Sequence, residues 1–130
     1  MNPLSKAMSA ASSGMDAQAF RLQIVSENIS NADTPGYQRK LLSFQSIMDG
    51  ISKTGEVEVG PVTLDTREGE REFDPSHPLA DDQGYVTFSN VTMMTELADA
   101  REAGRSYEAN LATFRQAREM YGSLIDLLRR

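Results

Sequence analysis

Apolar residues recur in alternating steps of three and four at both ends of the chain, and this spacing constrains the fold more than any other feature. The N-terminal stripe consists of Leu4, Met8, Ala11, Met15, Gln18, Leu22, Val25 and Ile29. The C-terminal stripe consists of Met93, Leu97, Ala100, Gly104, Tyr107, Leu111, Phe114, Arg118, Tyr121, Ile125 and Leu128. Such spacing keeps side chains on one side of a helix, as in a coiled coil. We therefore expect two long helices with packing stripes, and the simplest interpretation is a structural building block.

The charge of the chain is concentrated in its middle. The net charge is -6, and residues 49–82 hold ten acidic and three basic side chains, whereas the two ends are close to neutral. Neutral ends can pack against copies of themselves at little Coulomb cost, and an acidic middle suits a solvated outer surface. The same distribution argues against nucleic acid as the main partner, because phosphate-binding proteins carry a basic patch.

Composition limits the class of protein further. A chain of 130 residues fits one domain, and 39% hydrophobic residues indicate an ordered fold. The absence of cysteine excludes disulfides and thiolate sites. No apolar run approaches the roughly 20 residues that span a bilayer, and residues 1–6 lack the layout of a cleaved secretory signal. We therefore expect a cytoplasmic protein, or one that leaves the cell by a route that needs no such signal.

Local signals place the boundaries of the first helix. Asn2 fits the N-cap, and Pro3 fits the first helical position. Pro35 disfavours helical geometry at the residue before it. Pro35 and Gly36 fit the central positions of a type II turn, since glycine accepts the positive φ there, although an ordinary helix stop would use the same residues. The serines and glycine of its first half predict a helix that depends on partners for its order, or else a loosely packed surface helix.

The middle of the chain is predicted to contain short extended segments. Alternating apolar residues and turn signals indicate segments at 41–44, 57–59, 62–64 and 84–88. Residues 67–72 are predicted to form a charged, exposed loop, in which Gly69 has no evident constraint.

Ser89 or Asn90 is predicted to cap the second helix, which runs nearly to Arg130. Within its stripe, Gly104 leaves a notch and Arg118 is a single cation. These two residues either set register and partner choice, or mark the edge of a stripe that drifts around the helix.

One cluster holds side chains capable of acid–base chemistry, namely Asp74, Ser76, His77, Asp81 and Asp82. Catalytic triads usually converge from distant parts of a fold, whereas these residues are close neighbours in the chain. A metal site needs more ligands than one histidine and mobile aspartates. We therefore expect no catalytic residue, no metal and no cofactor, and expect His77 and its neighbouring prolines to shape a loop.

Three segments resemble the axial proteins of the bacterial flagellum, the family of rod and hook components. Residues 28–37, Asn-Ile-Ser-Asn-Ala-Asp-Thr-Pro-Gly-Tyr, resemble the N-terminal motif of that family. Residues 74–86, followed by Ser-Asn-Val at 89–91, are similar to the block that marks its proximal-rod branch. Residues 105–110, Arg-Ser-Tyr-Glu-Ala-Asn, resemble part of the terminal helix. Together with the length of the chain, these segments identify it as a member of the family.

The resemblance implies a mainly α fold, in which long N- and C-terminal helices pair as an antiparallel coiled coil around a small irregular or β element in the middle. The implied parts are an N-terminal helix (1–33), a middle of turn, acidic loop and short strands (34–89), and a C-terminal helix (90–130).

The resemblance also implies a function and a location. A structural subunit of the proximal rod polymerises into the periplasmic shaft that transmits torque from rotor to hook and encloses the export channel. Its implied partners are further copies, FlgB, FlgF, the distal rod protein FlgG, the rod-base adaptor FliE and the flagellar type III export apparatus. We also expect export without a cleaved signal peptide, no nucleic acid partner and no direct insertion into a membrane.

Three sets of residues carry these expectations. The family motif and turn comprise Asn28, Asn31, Thr34, Pro35, Gly36 and Tyr37. Packing between subunits is assigned to Leu4, Met8, Met15, Leu22, Ile29, Leu97, Tyr107, Leu111, Phe114, Tyr121, Ile125 and Leu128. An outer contact loop is assigned to Asp74, Pro75, His77, Pro78, Leu79 and Tyr85.

Two other classes of protein compete with this interpretation. A cytoplasmic helical adaptor would bind one partner through the same stripes, and a small hydrolase would use Asp74 and His77. One feature also departs from the family, because some relatives carry a longer insertion where this chain has only residues 33–36.

Overall fold

The computed structural model describes residues 2–130, as two long helices with three small antiparallel sheets between them. Helix α1 spans Pro3–Ser30, and helix α2 spans Met93–Leu128. The strands are β1 (Lys40–Leu41), β2 (Phe44–Asp49), β3 (Ser52–Val59), β4 (Thr63–Leu64), β5 (Arg71–Phe73) and β6 (Tyr85–Thr87). They pair as β1–β4, β2–β3 and β5–β6.

The boundaries of α1 follow the predicted chemistry. The side chain of Asn2 accepts a hydrogen bond from the Ser5 amide at 2.7 Å, and Pro3 is the first helical residue. After the helix, the Tyr37 amide donates to the Thr34 carbonyl at 3.2 Å, and Gly36 has a φ of 76°. This hydrogen bond and the positive φ define the type II turn that the Pro35-Gly36 pair predicts.

The predicted cap of α2 is wrong. The N-cap residue is Thr92, and its side chain makes no capping hydrogen bond. Ser89 and Asn90 instead fasten neighbouring segments, because the Ser89 hydroxyl donates to the Ala32 carbonyl and Asn90 bonds three backbone groups. Ser89 and Asn90 therefore fix the segment that precedes α2 and do not cap the first turn of the helix.

The β2–β3 hairpin extends along α1. Gly50 has a φ of 62°, as the first position of a two-residue hairpin loop of type II′ requires. The Val57 amide donates to the Ser13 hydroxyl at 3.1 Å, so one strand of the hairpin lies against the serine-rich half of α1. The serines that weaken the isolated helix thus provide a partner for the hairpin.

The two helices lie antiparallel. Asn28 contacts Glu96, Arg21 contacts Asp99, and the position of a Cβ at Gly14 would fall 2.7 Å from the Asn110 side chain. The α2 residues on this side follow steps of three and four, and they are Glu96, Asp99, Ala103, Ser106, Asn110 and Ala117. This face is polar or small, and it lies one residue before the predicted apolar stripe.

The prediction of a mainly α antiparallel coiled coil is therefore wrong. About half of the chain is helical, and about a fifth forms strands in three sheets. The predicted stripe of α2 does not form a buried seam with α1, since Leu97 is 51% exposed. One residue along a helix is a rotation of about 100°, so this stripe lies beside the face that contacts α1 rather than on it.

The buried core is thin. Its apolar members are Ala11, Ala17, Ile24, Val25, Val86, Ala103 and Ala117. Such small side chains bury little apolar area, so polar contacts between the helices carry an unusual share of the packing. Within residues 2–130, neither helix has a stretch that is apolar enough and long enough to cross a membrane.

Candidate functional site

Four side chains and the backbone of Lys40 converge where the end of α1, the turn after it and the start of α2 meet. We call this group the junction cluster, and it consists of Asn28, Tyr37, Arg39, Lys40 and Glu96. The type II turn reverses the chain after α1, so the segment from Tyr37 to Lys40 returns alongside Asn28. The first turn of α2 brings Glu96 to the same place.

Asn28 is the centre of the junction cluster and is almost fully buried. Its Oδ1 accepts from the Tyr37 hydroxyl and the Lys40 amide, both at 2.9 Å. Its Nδ2 donates to the Lys40 carbonyl at 3.1 Å and to Glu96 Oε2 at 3.3 Å. All four hydrogen-bonding positions of the amide are therefore used, which fixes its orientation.

Glu96 is a fully buried acidic side chain. It pairs with Arg39 Nε, while the other end of the Arg39 guanidinium donates to Asp99 at 2.8 Å. An unpaired buried carboxylate would cost several kcal/mol of stability. The Arg39 guanidinium and the Asn28 amide offset this cost by pairing with the Glu96 carboxylate. The pair ties the returning segment to α2, and Asn28 ties both to α1.

The surroundings shift the pKa of two groups in the cluster, Tyr37 and Lys40. Burial raises the pKa of the Tyr37 hydroxyl, which stays a neutral donor to Asn28. A hydrogen bond and the charge of Glu27, at 2.9 Å, raise the pKa of Lys40, which stays cationic. Both side chains therefore keep the form in which they make these contacts.

The remaining motif residues shape the turn. The Asn31 side chain donates to the Glu27 carbonyl at 2.9 Å, and the Thr34 hydroxyl donates to Asn31 Oδ1 at 3.2 Å. Pro35 and Gly36 occupy the centre of the turn, and the Gly36 amide donates to the Thr87 carbonyl at 3.0 Å. The turn is thus fastened to β6 as well as to α1.

A second set of contacts fastens the sheets to the junction cluster. Asn90 Oδ1 accepts from the Arg39 amide at 2.6 Å, and its Nδ2 donates to the carbonyls of Asp65 and Arg67. Hydrogen bonds from Arg67 hold the pKa of the Asp65 carboxyl below its ordinary value. Sequence reasoning missed Arg39 and Glu96, and it assigned Asn90 to a helix cap rather than to these contacts. The signals were that Arg39 follows the motif closely and that Asn90 lies in the family segment at 89–91.

The predicted outer loop carries no assembled catalytic group. The Asp74 carboxylate accepts from the Ser76 hydroxyl at 2.7 Å, and His77 Nδ1 accepts from the Leu79 amide at 3.0 Å. Both interactions lie within the loop, and the hydrogen bonds from Ser76 lower the pKa of Asp74. In the part of the chain from residue 2 onward, no three acidic or histidine side chains gather as a metal ion would require.

The rest of that loop presents an organised surface. The rings of Phe73 and Tyr85 lie edge to face, 5.3 Å apart, and the Arg71 guanidinium lies 4.8 Å from the centre of the Tyr85 ring. Leu79 is largely exposed, and Pro75 and Pro78 are exposed beside it. The loop is therefore ordered by its own contacts and leaves apolar atoms on the surface.

The predicted packing residues lie at different depths. Leu97, Tyr107 and Leu128 are exposed. The half-buried ones are Leu4, Met8, Met15, Leu22, Ile29, Leu111, Phe114, Tyr121 and Ile125. Sequence reasoning also missed a second exposed stripe near the end of α2, formed by Met120, Leu124 and Leu127. Whether any of these residues packs between subunits stays a prediction.

Comparison with known proteins finds two family matches. Residues 8–38 match the family described as flagella basal body rod protein. Residues 82–127 match the family described as flagellar basal body rod FlgEFG protein C-terminal. The first match contains most of α1 and the turn, and the second contains β6 and nearly all of α2.

Individual relatives cover nearly the whole chain. The flagellar basal-body rod protein FlgC of Agrobacterium fabrum is 46% identical, over 99% of this chain and 98% of its own length. FlgC of Escherichia coli is 32% identical, over 85% of this chain and 87% of its own. FlgC of Bacillus subtilis is 29% identical, over 92% of this chain and 95% of its own.

Proposed function

This chain belongs to the FlgC family of flagellar basal-body rod proteins and is a structural subunit of the rod, and we propose that it polymerises into the proximal part of a periplasmic shaft. In this proposal the shaft transmits torque from rotor to hook and encloses the export channel. The alternative of a cytoplasmic adaptor is not favoured, because the relatives that span the whole chain are rod proteins.

One observation in the structure carries the proposal, namely that several large apolar residues of α2 are exposed. Leu97, Tyr107 and Leu124 are exposed along a helix of 36 residues. A monomer gains nothing by leaving large side chains in water, and extended exposed apolar surfaces mark interaction sites. The junction cluster holds this helix in a fixed orientation, as a subunit that bears load requires.

The finer parts of the proposal concern partners and route. FlgB, FlgF, FlgG and FliE are the proteins we expect beside this one, together with further copies of itself. The thin core and the serine-rich half of α1 support export as an unfolded chain by the type III export apparatus, because a weakly stable fold opens readily. The residues of the outer loop, Asp74 to Tyr85, are proposed to contact a neighbouring rod subunit.

A variant with an intact monomer tests the proposal most directly. Leu97→Asp places a carboxylate at a position that is half exposed in the monomer, so folding of the single chain should change little. In a packed rod the same carboxylate would be buried without a partner, at a cost of several kcal/mol. We expect purified basal bodies to lack the Leu97→Asp chain and to contain the wild-type chain.

Glu108→Gln is the matched control, because Glu108 lies on the exposed side of the same helix and should be tolerated. Normal incorporation of Leu97→Asp would show that this side of α2 does not face a packed interior. A wild-type chain that remained in the soluble fraction of flagellated cells would contradict the rod assignment itself.

A further inference from the structure

Two faces of α2 have the same spacing and differ by one residue. The face against α1 is polar or small, and its members are Glu96, Asp99, Ala103, Ser106, Asn110 and Ala117. The next face is apolar, and its members are Leu97, Ala100, Gly104, Tyr107, Leu111 and Phe114. Leu97 and Tyr107 are exposed, whereas Leu111 and Phe114 are half-buried. The helix therefore turns the less apolar of two equally spaced faces toward α1.

The shape of α1 at this contact does not by itself distinguish the two faces. Gly14 lies against Asn110, since a Cβ at Gly14 would fall 2.7 Å from the Asn110 side chain. Because Gly14 has no side chain, it would also leave room for Leu111 at the same place. Small residues that do not interlock specify a single packing poorly. A turn of α2 about its own axis by about 100°, the angle of one residue, would bring the apolar face against α1.

Charged contacts distinguish the faces instead. Glu96 is fully buried and binds both the Arg39 guanidinium and the Asn28 amide. Asp99 accepts from Arg39 at 2.8 Å and from Arg21 at 3.3 Å, and the two arginine side chains are only 13% and 19% exposed. If α2 were turned by one residue, apolar side chains would replace these carboxylates. Two largely buried guanidinium groups would then lose their partners, which is strongly unfavourable.

We propose that the carboxylates of Glu96 and Asp99 select between two packings of α2, the observed polar packing and an apolar packing in which α2 is turned by about 100°. Apolar replacements of buried ion pairs are often no less stable, and the best-attested use of buried polar groups is to fix the register of packed helices. The selection is a property of the single chain. Its use, which rests on the proposed function, is to keep the apolar face of α2 available to neighbouring subunits.

Two engineered disulfides report the two packings, because the chain contains no cysteine of its own. Gly14→Cys/Asn110→Cys reports the polar packing, in which these two positions face each other. Gly14→Cys/Leu111→Cys reports the apolar packing. In the polar packing the side chain at position 111 points about 100° away from that at 110, and cysteines whose Cβ atoms point apart cannot be bridged.

The full chain is oxidised in dilute solution, where disulfides form within one molecule, and the disulfide-linked fraction is measured by mass spectrometry. With Glu96 and Arg39 in place, the yield of the first disulfide should exceed that of the second by at least about tenfold. Equal yields in this background would overturn the proposal, because they would show that α2 is not held in one packing.

Glu96→Arg should reverse the preference. It places a second guanidinium beside Arg39 in the polar packing, whereas the apolar packing moves this position off the contact with α1. The same substitution at an exposed carboxylate of α2, Glu108→Arg, is the control and should leave the preference unchanged. The charge-swapped chain Glu96→Arg/Arg39→Glu restores a pair of opposite charges and should restore the first disulfide. An unchanged preference in Glu96→Arg, or no restoration by the swap, would overturn the proposal.

A milder variant decides the case if Glu96→Arg yields neither disulfide. Glu96→Met/Arg39→Met removes both charges without creating a repulsion, so the yield of the second disulfide should rise by about tenfold over the chain that keeps both residues. An unchanged yield would overturn the proposal. Failure of the proposed function has a different signature, namely a wild-type chain that is missing from basal bodies while the disulfide yields follow the predicted order.

Discussion

Replacing the buried carboxylate of the junction cluster should destabilise the whole molecule. Glu96→Gln keeps the shape of the side chain but removes the charge that pairs with Arg39. Breaking a buried ion pair typically costs about 3–5 kcal/mol. We expect a value near the lower end, about 3 kcal/mol, because Arg39 keeps its contact with Asp99 at 2.8 Å.

Urea unfolding followed by circular dichroism measures this loss. With a slope of about 2 kcal/mol per molar, the midpoint should fall by about 1.5 M. Glu102→Gln is the control, since Glu102 is 69% exposed and only reaches Arg21 at 3.3 Å. Exposed pairs contribute less than about 1 kcal/mol, so its midpoint should hardly move.

A second variant separates loss of a charge from loss of a contact. Glu96→Met/Arg39→Met removes both charges, and apolar replacements of a buried pair are often neutral. We expect the double variant to be more stable than Glu96→Gln. A Glu96→Gln midpoint within 0.3 M of wild type, on the order of the uncertainty of the method, would refute the claim that this pair holds the helices together.

Three further predictions follow from single positions. Gly36→Val should destabilise the fold by about 1–3 kcal/mol through backbone strain alone, because Gly36 has a φ of 76° and no neighbour within 4 Å. In the same thermal melts Gly122→Ala, on an open face inside α2, should be slightly stabilising, because alanine is a better helix former than glycine by about 1 kcal/mol. Gly69→Ala should cost more than Gly36→Val, which reverses the expectation from sequence, because its Cβ would lie 2.0 Å from the Phe88 carbonyl oxygen; equal melting temperatures would contradict this contact. Hydrogen bonds from backbone amides hold the pKa of the Asp81 carboxyl below its ordinary value, so the stabilisation is present above the ordinary pKa and is lost as the pH falls through the lower pKa of the folded state. The difference in free energy of unfolding between Asp81→Asn and the wild type should therefore shrink in acid, and a constant difference would contradict the linkage.

The ends of α1 could be predicted because their causes are local. An asparagine cap, a proline at the first position and a Pro-Gly turn act over a few residues, whatever the rest of the fold does. The family motif added Asn28 and Tyr37 to this list. The polar partners of Asn28 could not be found in the same way, because Glu96 is 68 residues away in the chain.

The face of α2 was misjudged for a physical reason. Apolar periodicity identifies the side of a helix that avoids water, and it is usually assumed that this side faces the same chain. Here the side against α1 contains Glu96, Asp99 and Asn110, and the predicted apolar stripe lies beside that side, with Leu97 exposed. Strand β5 was missed for a related reason, since Arg71 and Glu72 are exposed and the strand exists only through its pairing with β6.

The arrangement of the junction cluster determines when the molecule can fold. A chain that emerges N-terminus first presents Asn28 and Arg39 long before Glu96, so α1 and the turn wait for most of the sequence before their shared partner arrives. Contacts between residues far apart in sequence slow folding, because a long loop must close before any contact is formed. An incomplete chain can form the contacts of Asn28 with Tyr37 and Lys40, but the connection from this end of α1 to α2 is made only when Glu96 is present.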